Sequence, residues 1–286
     1  MKYIFIDAHR EQFQVQRMCR VLGVQRSGYY AWRKRTPSDR AQANEALLAL
    51  IRAEHAASRQ TYGSPRIQVV LRRKGESCGR NRVARLMRLD GLHALQPRKS
   101  RPVTTQRQPG VVPAPNRLNQ EFRASAPNRK WVSDFTYIAT REGWLYLAVV
   151  LDLFSRRVIG WAMHATMDTP LVTDALRMAL LDRQPPAGLL HHSDQGCQYT
   201  SAAYLACLNT ALAQLSMSRV GNCYDNAVIE SFFGTLKTEC VTGPFDTHAQ
   251  ARTTIFEYLE VWYNRQRLHS SLGYFSPVDF EQDFSL

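Results

Sequence analysis

Residues 144–153 read WLYLAVVLDL, an almost unbroken apolar run. It is far short of the roughly 20 residues that cross a bilayer and too apolar for a strand with one wet face. It fits a strand in the middle of a sheet, covered on both sides. Residues 131–139 (WVSDFTYIA) predict a strand before it, joined through a hairpin turn at 140–143, and 157–164 a third. Asp168-Thr169-Pro170 then opens a helix through about Asp182, with Thr169 as N-cap and Pro170 at its first position. A strand over 188–193 ends at Asp194. A helix over 200–211, a strand over 214–218 and a helix over 225–238, capped by Asp225, complete the pattern. Three antiparallel strands followed by alternating helices and strands make an α/β domain of mixed sheet order.

The other half of the chain has a different character. Residues 1–130 carry 27 Lys and Arg against 8 Asp and Glu, whereas residues 131–286 carry 10 against 16. A basic front on an acidic back predicts a nucleic-acid-binding region followed by a domain with other work to do. Phe13, Val15, Met18, Val21 and Leu22 give a helical apolar face, and Gly23 supplies a turn. The next helix mixes Tyr29, Tyr30 and Trp32 with Arg33, Lys34 and Arg35, so residues 1–36 predict a helix-turn-helix-like segment. Residues 37–93 predict a second helical DNA-binding module. It comprises a long helix over 39–57, one begun by Ser64 as N-cap with Pro65, and one after Gly79 that turns Val83, Leu86 and Met87 inward. Arg82, Arg85 and Arg88 form a stripe on that last helix, suited to a phosphate backbone. Residues 94–130, rich in Pro, Arg, Gln and Ala without period, predict a basic linker.

Composition excludes several classes. With 44% hydrophobic and 21% charged residues the chain can bury a core. No apolar run spans a membrane, the N-terminus has too short an apolar core for a signal peptide, and the six Cys never form a C-x-x-C pair. The expectation is a soluble intracellular protein without a disulfide framework or zinc ribbon.

Three acids in the back half stand out by position. Asp134 interrupts a strand otherwise suited to burial, Asp194 follows a strand end, and Glu230 lies one and a half turns into the last helix of the pattern. Carboxylates converging from separate elements are what a pair of Mg²⁺ ions needs for phosphoryl transfer.

The segments 131–137, 192–199 and 218–233, which carry these acids, resemble the DDE transposases of bacterial insertion sequences. Specifically, they are similar to the OrfB product of the IS-three type. The tail Tyr263-Asn264-Arg265-Gln266-Arg267-Leu268-His269, with Ser276-Pro277, resembles that family's ending, and the Tyr29–Trp32 and Tyr62-Gly63 segments its front. The resemblance implies a retroviral integrase-type, RNase H-like catalytic core behind an all-α helix-turn-helix-like region. It implies Asp134, Asp194 and Glu230 as catalytic metal ligands, with Mg²⁺ or Mn²⁺, two ions, as cofactor. It places Lys237, two helical turns beyond Glu230, near the DNA, and it implies an OrfA partner. His192 reads as a packing histidine, and Asp152 as structural. Two departures stand out: the His₂Cys₂ zinc module that begins retroviral integrases is missing, and Gln195 and Cys197 occupy positions where the family often has Arg and Ser.

The expected function is therefore binding of element-end duplex DNA, strand cleavage and strand transfer, in the cytoplasm at the nucleoid. A homo-oligomer on DNA is expected, because two ends must be held and one chain has one set of acids. The apolar face of the helical tail 247–266 (Ile255, Phe256, Leu259, Trp262, Tyr263) suits either its own core or that interface. A recombinase using a nucleophilic Tyr or Ser would need an Arg cluster that the acidic half lacks. A plain RNase H or junction nuclease would leave the basic front unexplained, and a repressor would need a broken triad.

Overall fold

A computed structural model describes residues 1–96, 113–219 and 222–284. Helices α1 (Lys2–Ala8), α2 (Val15–Val21) and α3 (Arg26–Lys34) close on a small core of their own around Ile6, Met18, Cys19 and Tyr29. The first of these helices has no counterpart in the sequence reading. Gly23 turns the chain at φ +62°, where glycine carries no Cβ penalty. Helices α4 (Asp39–Ala57), α5 (Ser64–Arg73) and α6 (Arg80–Leu89) form the second module. Its N-caps are Ser38, whose side chain accepts from the Ala41 N–H, and Gly63 and Gly79. Ser64 is thus already inside the helix rather than capping it.

The sheet comprises β1 (Lys130–Thr140), β2 (Gly143–Asp152), β3 (Val158–His164), β4 (Leu190–Ser193) and β5 (Gln214–Met217), in the order β3-β2-β1-β4-β5. β1, β2 and β3 pair antiparallel, and β4 and β5 run parallel to β1. The apolar run is explained by its two faces. Leu145, Leu147, Val149 and Leu151 enter one core, while Ala148 and Val150 enter the other with α7 (Thr169–Arg183) and α8 (Ala202–Thr210). α7 is capped by Asp168, which accepts from the Leu171 N–H, so the cap lies one residue earlier than the sequence predicts. At β3 the approach of α7 is so close that a Cβ on Gly160 would lie 2.7 Å from the Ala179 Cβ.

The first core carries α9 (Ala227–Glu239), α10 (His248–Glu257) and a π-helical turn at Tyr258–Tyr263; α11 (Pro277–Phe284) ends the described chain. Ile255, Leu259, Trp262 and Tyr263 are buried there, with only Phe256 left outside. Most of the tail's apolar face is therefore intramolecular packing. The same core takes in Leu47, Ile51, Tyr62, Ile67 and Leu71 of the α4–α6 module. The Tyr62 hydroxyl donates to Gln266 O at 3.3 Å and accepts from Leu268 N at 2.7 Å. Arg73 donates to Tyr274 O, and Arg59 pairs with Glu257. Module and catalytic half are therefore one packed unit. Of the predicted linker, 97–112 lie outside the described residues. Residues 113–129 are docked, with Leu118 buried and the Arg117 and Leu118 N–H groups bonded to Ser216 Oγ. None of the helices among the described residues is long and apolar enough to cross a membrane.

Three buried histidines each contribute a part of the stability that weakens in acid. Ser216 Oγ, already accepting two N–H groups, lies 2.8 Å from His192 Nδ1 and donates its hydroxyl hydrogen bond to it, which leaves Nδ1 without a proton and His192 neutral. Burial depresses His191 to about 3, His192 to about 4, and His269 well below its usual value. Such groups contribute stability that is full above the unfolded pKa near 6.5 and is lost as pH falls from there, about 1.4 kcal/mol per pH unit each. Burial holds Asp152 up to about 6 and raises Asp134 and Glu230, and these three run the opposite way. Histidine losses and carboxylate gains therefore oppose one another between about pH 6 and 4. Removing one loss isolates it: urea midpoints across that range should fall less, or rise more, on acidification in His192→Asn than in the wild type. The same pH dependence in both proteins would contradict a neutral, buried His192.

Candidate active site

The site grows from the one place where β1 outlasts its parallel neighbour. β1 and β4 pair at Lys130–Leu190, Trp131–His191 and Val132–His192, and β4 ends at Ser193. Two residues further along each chain come Asp134 and Asp194, side by side at the C-terminal end of the parallel pair, where α/β sheets leave a crevice. Each carboxylate is steadied locally: Asp134 Oδ1 accepts from Phe135 N at 2.8 Å, and Asp194 Oδ1 from Gly196 N at 2.9 Å. The third acid, Glu230, comes from α9, in its first turn and not one and a half turns in. It is exposed, on the rim of the pair.

Electrostatics tie the three together. Burial raises the Asp134 carboxyl well above the usual carboxylate range, the charges of Asp194 and then Glu230 raise it further, and Phe135 N–H and Lys237 only partly offset this. Burial also raises Glu230. Crowded carboxylates of one sign, all hard oxygen donors, are the chemistry that a divalent cation relieves. Asp134 and Asp194 form the close pair. Among the described residues no three His, Cys, Asp or Glu side chains stand close enough together to hold one metal ion, so Glu230 completes the set only by reaching inward.

Helix α9 is aimed by buried polar contacts. Asp225, expected as its cap, instead lies buried before it and accepts from Arg219 N and Nη2, both at 2.8 Å, and from Gln120 Nε2 at 3.1 Å. These bonds hold its carboxyl well below the usual range, the Arg219 guanidinium contributing most. The N-cap itself is Asn226, which makes no side-chain capping bond. At the other end Glu239 is buried and grips Arg267 through Nε at 2.8 Å and Nη2 at 2.7 Å, while accepting from Tyr258 Oη at 3.0 Å. Asp152 bonds Asn128 N and Phe154 N, the structural role expected of it.

The predicted DNA contacts fall into two groups. Lys237 lies beside the acids, its ammonium 4.5 Å from the centre of the Tyr137 ring and within the field of Asp134. The remaining basic residues lie on the two helical modules. Arg85 and Arg88 are exposed, but Arg82 Nε is spent on Asn44 Oδ1 at 2.9 Å. Lys34 and Arg35 are exposed, and Arg33 Nε lies 3.6 Å from Asp7. Sequence reasoning missed Tyr137, Glu239 and Arg267. Tyr137 and Arg267 stand inside the motifs that carried the resemblance, and the Glu239–Arg267 pairing had no local signal.

Residues 124–223 and again 212–277 match the integrase core domain, and residues 42–100 match an HTH-like domain. The chain is 46% identical over 284 residues to the transposase InsF for insertion sequence IS3A of Escherichia coli (strain K12), covering 98% of each. The chain belongs to the IS3-type insertion-sequence transposases. It is also 47% identical over 268 residues to an uncharacterized 31 kDa protein of insertion element IS600 from Shigella sonnei, covering 93% of this chain and 98% of that one. A solved structure of the HTLV-2 integrase catalytic core domain in complex with magnesium aligns with 56% of this chain and 99% of its own, at 16% identity and TM-score 0.43. The transposase has the mixed α/β, RNase H-like core of integrases behind a helical HTH-like region, and it is a DDE-type enzyme of DNA cleavage and strand transfer.

Proposed function

We propose that Asp134, Asp194 and Glu230 are the catalytic acids of this transposase and hold two Mg²⁺ or Mn²⁺ ions. The observation that carries this reading is the placement of Asp134 beside Asp194 at the end of the parallel pair, with Glu230 raising the Asp134 carboxyl from the facing helix. When bound, such ions supply charge for an attacking and a leaving oxygen. The chain's own part is to orient. Phe135 N–H and Gly196 N–H fix one oxygen of each aspartate, and Lys237 brings a positive charge to the same edge of β1. Water attacks a phosphodiester at the element end, and the P–O bond to the departing 3′ oxygen breaks to leave a 3′-hydroxyl. That hydroxyl then attacks a second phosphodiester: a new P–O bond joins the strands as the bond to the target's own 3′ oxygen breaks, and that oxygen leaves as a second 3′-hydroxyl. Neither step calls for a Ser or Tyr nucleophile.

The partners in this reading are duplex DNA of element ends and target, gripped by Arg33, Lys34, Arg35, Arg85, Arg88 and Lys237, with Arg82 bracing its module. An OrfA protein, separate or fused, shares end recognition. The enzyme works in the cytoplasm as a homo-oligomer on DNA, each set of acids serving one end. The test is a gel assay for strand transfer on labelled element-end duplex with Mg²⁺. Joined products that vanish with chelator are expected, and binding without joining under any divalent cation would refute the reading.

A further inference from the structure

A cavity of about 350 Å³ opens between the HTH-like module and α9. Thr61 and Arg66 line it from the module, Ser231, Thr235 and Glu239 from α9, and Arg267 from the tail. Its charges do not balance. Glu239 is fully engaged by Arg267, through bonds of 3.0 and 2.7 Å between Oε1 and Nε and Nη2. Arg66 has no carboxylate within ion-pair distance among the described residues, and its guanidinium lies 5.4 Å from the centre of the Tyr62 ring. Burial, then the charge of Arg267, works against its ionisation. A guanidinium half withdrawn from water without an anion is a cost that a bound phosphate removes, and its planar fork suits that partner.

The floor of the cavity points the same way. Thr235 Oγ1 and Thr238 Oγ1 donate back to the carbonyls of Ser231 and Gly234, at 2.9 and 2.7 Å. The Ser231 hydroxyl makes no such bond among the described residues and is exposed at the cavity wall. Gly234 sits in mid-helix, where glycine costs about 1 kcal/mol relative to alanine. A Cβ there would meet nothing within 4 Å, so packing does not require it. What it does is keep the helix surface low, opening the cleft to a backbone. Ser231 follows Glu230 directly.

We propose that this cleft is a phosphodiester site for one DNA strand, Arg66 and Ser231 holding a single backbone phosphate so that the HTH-like module and α9 grip the strand beside Glu230. This rests on the reading of Glu230 as a catalytic acid only for its purpose, since occupancy is measured without cleavage. The experiment titrates full-length protein against labelled duplex in chelator, by fluorescence anisotropy over a series of salt concentrations. Arg66→Gln is expected to reduce the slope of log affinity against log salt by about one unit, the share of one phosphate contact, and Arg66→Lys to keep the slope. Gly234→Gln fills the cleft from a position with open space around it. It is expected to weaken binding about tenfold while the melting temperature holds or rises, since glutamine is the better helix former, and it decides the matter should Arg66→Gln fail to fold. An unchanged slope in folded Arg66→Gln, or unchanged affinity in Gly234→Gln, overturns the site. Absence of strand transfer by the wild-type protein, with these binding results intact, would sink the catalytic reading instead.

Discussion

Glu230→Gln, Asp134→Asn and Asp194→Asn each lower single-turnover strand cleavage by about 10³-fold or more, the scale on which a preorganised charge acts at a reacting centre. Each amide keeps the shape of the side chain and removes one negative charge. DNA affinity in chelator should be unchanged or slightly stronger, because a like charge facing the phosphates is gone. The structure adds an ordering. Asp194 presses on Asp134 more than Glu230 does, so Asp194→Asn lets the Asp134 carboxyl fall back toward its ordinary range, and Glu230→Gln does so less. The losses should not add in double variants, since the acids act as one unit. Near wild-type cleavage by any one amide variant would falsify the assignment for that residue.

Glu239→Gln destabilises the protein by about 3–5 kcal/mol, the range for removing one partner of a buried ion pair. The Glu239 and Arg267 side chains are only 6% and 7% exposed, and no other carboxylate stands within ion-pair distance of Arg267 among the described residues. The variant strands a buried guanidinium, and Tyr258 loses its charged acceptor. Replacing both partners with Leu and Met restores much of the loss, because two apolar side chains need no counter-charge. Denaturant melts of the two single variants and the double decide this. A Glu239→Gln loss below about 1 kcal/mol would show that water reaches the pair. The consequence extends to chemistry, since Glu239 is the last residue of the helix whose first turn bears Glu230.

The strands of the acidic half were legible because each face of β2 keeps its own core, and burial on both sides leaves an apolar run that few other structures produce. The acids were legible because a charge mid-strand and a charge at a strand end conflict with burial. What escaped is non-local. Caps moved by a residue at Asp168, whose carboxylate takes the Leu171 N–H, and at Gly63, which caps by backbone alone. Asp225 sits where a cap would sit, yet its carboxylate turns to Arg219 and Gln120, the latter from a segment over 100 residues away. The docking of 113–129 depends on Ser216, and the joining of the α4–α6 module to the tail depends on Tyr62 meeting Leu268. No window along the chain contains both partners of either contact.

The Tyr62–Leu268 contact turns the enzyme into a caliper. Because the HTH-like module and the catalytic core share a single hydrophobic interior, the span from the module to the edge of β1 that bears Asp134 is fixed by protein packing and not by the reach of a tether. Elements that drift apart in terminal spacing would therefore need compensating change at this seam. Swapping modules between relatives should succeed only when the tail residues 258–275 travel with them.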